Sequence, residues 1–182
     1  MIDQIPPALA ICTRTFGGLL FGAAAFGKIR HHVAFQGVFE NYRLTPPFAT
    51  PVLAYGLIGA EALVALSLLT GLGLTAGALG AMALLGLFAL AIAINLVRGR
   101  DDIDCGCFQS TLRQQLSWAH VVRNLAYATL MNCLLLPRAP VTSALDLVDG
   151  VGAGLAFFAL GQVFESLWSL RGGVRKLVKR FG

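Results

Sequence analysis

The chain has 182 residues, of which 57% are hydrophobic and only 13% charged, and its formal net charge is +5, with a mean hydropathy of +0.74. Such an apolar share lies well above that of soluble domains, so composition excludes a water-soluble enzyme and places the chain in a bilayer. The surplus cations sit at the ends of apolar runs, where membrane borders account for them, and nothing indicates nucleic-acid binding.

Five apolar runs are long enough to cross a membrane, which takes about 20 residues at helical rise. They cover 7–27, 51–71, 74–97, 116–136 and 145–170, and leave little for a soluble domain. Residues 1–182 therefore read as one membrane domain. The expected fold is an all-α integral membrane protein, a four-helix transmembrane bundle plus a peripheral fifth helix. Pro6-Pro7 opens the first helix, and Gly18 and Gly22 provide the small-xxx-small spacing that lets helices approach closely in lipid. No cation precedes this run, Arg14 interrupts it and no small-residue cleavage pattern follows, so it reads as a retained helix and not a secretory signal. It ends in Lys28-Ile29-Arg30-His31-His32, a cluster suited to snorkelling into the headgroup layer. Val33 to Leu44 mixes Val33, Phe35, Val38, Phe39 and Tyr42 with Gln36, Glu40, Asn41 and Arg43, as a short amphipathic interfacial helix would. Thr45-Pro46-Pro47 stops it.

Gly71-Leu72-Gly73 joins the second and third spans too tightly for anything but an antiparallel hairpin. Glu61 falls near the middle of the second span, a depth at which a carboxylate needs a partner inside the bundle. Asn95, Arg98 and Arg100 close the third span. Trp118 starts the fourth as an aromatic-belt residue, and His120, Arg123 and Asn124 share one of its faces. Arg14, Glu61, Arg123 and Asn124 are expected to form one buried network, with Glu61 accepting from a guanidinium. The alternative is a polar pair that only fixes helix register. Pro137 and Pro140 precede the fifth helix, which carries Asp146, Asp149 and Glu165, and the basic tail 171–182 should lie on an anionic leaflet.

Between the third and fourth spans lies Arg100-Asp101-Asp102-Ile103-Asp104-Cys105-Gly106-Cys107-Phe108. Two thiols separated by one glycine close a disulfide ring only with strain, and strained disulfides are the oxidising, labile ones. Cys105 and Cys107 thus read as a redox dithiol, against the plainer reading of two unpaired neighbours in a charged loop. His120 and Arg123, near the loop, would favour a thiolate, and Asp101, Asp102 and Asp104 would oppose it. Cys12 and Cys133 would face the other side of the membrane, either as a second thiol pair or as small fillers of a helix interface. His31 and His32 could join Cys105 and Cys107 as soft-metal ligands, although paired interfacial histidines are commonly just solvated. With five spans, the cysteine loop, the amphipathic segment and the tail share one side. That side holds every Lys and Arg of the loops and tail except Arg138, so the positive-inside rule assigns it to the cytoplasm. An oxidising role would suit the outer, disulfide-permissive side better.

The run Asn95 to Phe108, followed by Leu116-Ser117-Trp118-Ala119-His120-Val121-Val122-Arg123-Asn124, resembles the MauE family of methylamine utilisation proteins. Gly27-Lys28, Tyr42-Arg43-Leu44 and Pro46-Pro47 match it too, so the resemblance covers most of the chain. One position departs: Gln109 stands where the family shows glycine after Cys-Gly-Cys-Phe. The resemblance implies a multi-pass protein of the bacterial inner membrane, similar in layout to DoxX-type proteins. It implies a part in processing, transport or maturation of the methylamine dehydrogenase beta subunit, alongside a thioredoxin-like maturation protein. On this reading Cys105 and Cys107 act as a thiol-disulfide oxidoreductase pair, and a quinone would bind between the helices near His120 and Arg123. A membrane chaperone or transport component without chemistry, or a soft-metal handling protein, are the competing expectations.

Overall fold

The computed structural model describes residues 4–100, 103, 115–141 and 143–181, with side chains up to residue 167 except that of Pro47. Among the described residues six α-helices follow one another: α1 (Pro7–Arg30), α2 (His32–Asn41), α3 (Thr50–Thr70), α4 (Leu74–Val97), α5 (Trp118–Asn132) and α6 (Ala144–Phe181). Short 3-10 turns at Pro47–Ala49 and Cys133–Leu135 lead into α3 and extend α5. Among the described residues there is no strand, and Ile5 and Arg138 form an isolated bridge.

Among the described residues four helices are long and apolar enough to cross a membrane: Pro7–Arg30, Thr50–Thr70, Leu74–Val97 and Ala144–Leu167. Their outward faces carry exposed leucines, among them Leu63, Leu66, Leu87, Leu90 and Leu160, as expected where the solvent is hydrocarbon. The fourth expected span is shorter and more polar: α5 and its 3-10 turn, Trp118 to Leu135, measure about 28 Å at helical rise.

Helix α1 is the hub, packed against α3 on one side and α6 on the other. It runs antiparallel to α3, with Gly18 beneath Leu69 and Gly22 facing Ala65. A Cβ on Gly18 would meet Leu69 Cγ at 2.5 Å, so the small-xxx-small spacing read from the sequence is where these helices touch. Helix α6 runs parallel to α1: Gly150 lies on Ala8 and Ile11, and Gly154 on Cys12 and Thr15. Helix α5 returns the chain along the bundle to the end at which α1 and α6 begin, where Ile5 bridges Arg138. Between residues 155 and 167 most of α6 is exposed, as befits the peripheral helix, and its backbone continues unbroken to Phe181. Phe16 joins α1, α5 and α6, with edge-on contacts to Tyr127 (5.0 Å between ring centres) and Phe157 (4.8 Å). Such aromatic pairs add about 0.5–1.5 kcal/mol each beyond area burial.

The hairpin between α3 and α4 turns through Gly71, whose φ of +80° is left-handed. Ser67 Oγ donates to Leu72 O there at 2.7 Å. Helix α2 departs from α1 at His31 and folds back on α3, burying Phe35 against Ala54 and Ile58, so the amphipathic segment is a helix whose apolar side is used.

Candidate functional site

Cys105 and Cys107 lie outside the described residues, as do Asp101, Asp102 and Asp104, but the segments at both ends of their loop are described. The sequence Asn95-Leu96-Val97-Arg98-Gly99-Arg100 ends α4 in a Schellman motif: Arg100 N–H donates to Asn95 O at 2.9 Å and Gly99 N–H to Leu96 O at 3.0 Å. Gly99 takes the left-handed φ of +70° that this turn requires. The chain is thereby turned so that the Arg100 guanidinium reaches the end of α2. It donates to Asn41 O at 2.8 Å, to Tyr42 O at 3.5 Å and to Asn95 Oδ1 at 3.2 Å. Asn95 is fully buried and donates in turn to Ala91 O.

Leu116 N–H donates to Ile103 O at 3.2 Å, so the loop closes at its base. Ile103 and Leu116 pack in one cluster with Tyr42, Ala89, Ile92, Leu96 and Val121. Ser117 Oγ is hydrogen-bonded to His120 Nδ1 at 2.7 Å, which holds the buried imidazole at the first turn of α5. Arg123, one turn further on, pairs with Glu165 of α6.

Beside this base is a cavity of about 680 Å³ between α1, α2, α3, α4 and α5. Tyr42 and Ile92 belong both to its wall and to the cluster that seats the loop base. Its lining is mainly apolar, with Lys28, Tyr42, Thr45, Glu61, Arg123, Asn124 and Tyr127 as polar exceptions. Lys28 Nζ and Glu61 Oε1 are 2.5 Å apart, at 3% and 0% side-chain exposure. The ammonium also lies 5.4 Å from the ring centres of Phe35 and Phe88. Glu61 Oε2 and Asn124 Nδ2 are buried without a hydrogen-bond partner.

The single network expected of Arg14, Glu61, Arg123 and Asn124 does not form. Glu61 takes Lys28, Arg123 takes Glu165, and Arg14 donates from Nε to Leu68 O and from Nη2 to Leu69 O, both at 3.1 Å, closing the C-terminus of α3. The register explains it. With Gly18 against Leu69 and Gly22 against Ala65, Glu61 lies opposite the last turn of α1, about 18 Å along the axis from Arg14. Lys28 correspondingly does not snorkel outward. Missing from the sequence reading was the rule that a buried carboxylate draws the cation at its own level, which the two glycines would have identified.

Cys12 and Cys133 are free, partly buried thiols with no disulfide between them. His31 and His32 are exposed, and His32 stacks on Tyr55. Among the described residues no three His, Cys, Asp or Glu side chains gather as metal ligands would.

Residues 6–137 match the family model described as methylamine utilisation protein MauE. The chain is 42% identical over 152 residues to methylamine utilization protein MauE of Paracoccus denitrificans, covering 82% of each chain. It is 38% identical over 171 residues to the protein of the same name from Methylorubrum extorquens, covering 93% of this chain and 92% of the other. A third, from Paracoccus versutus, is 42% identical over 156 residues, 85% of this chain and 84% of the other. No solved structure matches significantly.

Proposed function

This chain belongs to the MauE family of methylamine utilisation proteins, and from that premise we propose that it serves methylamine utilisation as a thiol-disulfide accessory protein of the bacterial inner membrane. Its task is to assist maturation of the methylamine dehydrogenase beta subunit, exchanging disulfides with a thioredoxin-like partner. The observation that carries this reading is the construction of the loop base. The Schellman turn at Gly99, the Arg100 contacts to α2 and the Ile103–Leu116 hydrogen bond hold both ends of the segment bearing Cys105 and Cys107 on one end of the bundle. Rigid elements that present a chemistry-bearing loop are a usual arrangement of reactive sites.

The exchange balances within two dithiols. A partner thiolate attacks one sulfur of the Cys105–Cys107 disulfide, the other sulfur leaves as thiolate, and a mixed disulfide joins the proteins. The second partner thiolate then attacks the partner's own sulfur in that mixed disulfide and expels the Cys105 or Cys107 sulfur as thiolate, leaving Cys105 and Cys107 reduced, the partner oxidised and two electrons transferred. The reverse order serves a reduced pair. His120, held by Ser117 one turn from the loop, and Arg123 are positioning residues in this reading.

Cys105→Ser and Cys107→Ser test it. Each variant, expressed at the parental level in a methylamine-grown host, should leave the beta subunit without its full complement of disulfides. One of them should also accumulate a mixed disulfide with a partner, visible on a non-reducing gel. Normal maturation in both variants removes the thiol mechanism.

A further inference from the structure

The cavity contains an unusual pair of atoms. Glu61 Oε2 is an acceptor and Asn124 Nδ2 a donor, both buried and both without a hydrogen bond, on side chains 0% and 4% exposed. Buried polar atoms are nearly always satisfied, because an orphan forfeits its hydration and gains nothing in return. The two lie on the wall of one cavity, within the 300–1,000 Å³ range usual for small-molecule sites. Elsewhere that wall is made of side chains such as Leu57, Leu85 and Phe88. Both cations on the wall already have carboxylate partners, Lys28 with Glu61 and Arg123 with Glu165. No net charge is left to attract an ion, so an uncharged head group fits best. The rim includes Val52 and Leu53 of α3 and Leu87 of α4, exposed at 75%, 42% and 53%. These apolar edges belong to two of the membrane-crossing helices and open the cavity toward hydrocarbon.

We propose that this cavity binds a lipid-soluble ligand with an uncharged, hydroxyl-bearing head. The head donates to Glu61 Oε2 and accepts from Asn124 Nδ2, and the apolar body lies along Phe88 and Leu57 toward the rim at Leu53. Two membrane sources supply this chemistry: quinols of the isoprenoid quinone pool, and glycerides or long-chain alcohols. The inference rests on the cavity and not on the thiol reading, so binding is measured both on the parent and on a Cys105→Ser, Cys107→Ser double variant. Loss of thiol chemistry then leaves it untouched.

The full chain in nanodiscs of saturated phosphatidylcholine is titrated with three radiolabelled probes of equal tail length: decylbenzoquinol, decylglycerol and decane. At least one hydroxyl probe should bind saturably, one per chain, with decane about tenfold weaker or more for want of the two hydrogen bonds. Preference for the quinol or for the glycerol ether identifies the source, and equal binding of both upholds the shared head chemistry. Asn124→Leu should weaken the hydroxyl probe about fivefold or more. Gly56 lines the cavity, and a Cβ added to it meets nothing within 4 Å, so Gly56→Leu fills the space on a helix it does not strain. It should abolish binding while the thermal midpoint stays at or above that of the parent. The proposal is overturned if neither hydroxyl probe saturates, if decane binds as well as they do, or if a folded Gly56→Leu protein binds unchanged.

Discussion

Lys28→Met, Glu61→Leu and the double variant form a cycle whose outcome follows from the burial of one ion pair. The two side chains are 3% and 0% exposed and their charged atoms lie 2.5 Å apart, so each is the other's counter-charge at a depth water does not reach. Removing one strands the other among Phe35, Phe88 and the apolar cavity wall, and breaking a buried pair in this way costs about 3–5 kcal/mol. For a chain of this size about 2–4 °C accompany each kcal/mol, so each single variant should unfold roughly 6–20 °C lower. The double variant removes both charges and leaves apolar side chains in their place. It should return to within about 1 kcal/mol of the parent or exceed it, giving a coupling of several kcal/mol. Thermal unfolding of the detergent-solubilised protein, followed by tryptophan fluorescence at matched pH and salt, measures all four corners. If each single variant costs under about 1 kcal/mol, or if the double loses the sum of the singles, the pair is not the buried, mutually dependent unit described here.

Three further outcomes follow from named contacts. A Cβ on Gly154 would lie 2.8 Å from Cys12 O and 2.7 Å from Thr15 Cβ, whereas one on Gly152 meets nothing within 4 Å; Gly154→Val should therefore destabilise by about 1–3 kcal/mol and Gly152→Val by far less, in the same thermal assay. Gly99→Ala places a side chain at φ +70° and should cost about 1–2 kcal/mol; an unchanged midpoint would contradict the Schellman ending of α4. Arg100→Met deletes the donors to Asn41 O and Tyr42 O, so amide hydrogen exchange across residues 36–44 should quicken several-fold while that of α4 stays slow, and uniform protection would show that these contacts do not hold α2.

Much of the architecture is carried by features visible in one dimension. Apolar runs mark the long helices, Pro6-Pro7 and Gly71 mark where two of them start and stop, and Gly18 and Gly22 mark the α1–α3 contact. The alternation of aromatic and polar residues in Val33 to Leu44 foretells a helix with one buried side, and Phe35 is the residue it buries. Partner choice was less legible. Glu61 announces a need for a cation but not which one, because that depends on helix register, and Arg14, Lys28 and Arg123 are equally plausible suppliers until the glycine contacts align α1 with α3. The docking of α6 through Gly150 and Gly154 was likewise hidden: six glycines lie in the stretch from Gly150 to Gly173, and only the three-dimensional contact identifies Gly150 and Gly154 as the ones set against α1. The cavity could not be read at all, since five helices contribute to it and no local spacing announces a space.

The central place of α1 has a consequence for biosynthesis. The strip from Ala8 to Thr15 is covered by Gly150 and Gly154, which the ribosome delivers long after α1 has entered the bilayer. Until then the newborn helix holds that strip against lipid or an insertase, and the fold reaches closure only when its final segment arrives. A nascent chain halted before α6 should thus be inserted yet incomplete, and the quality-control proteases of the membrane would meet it with an open flank.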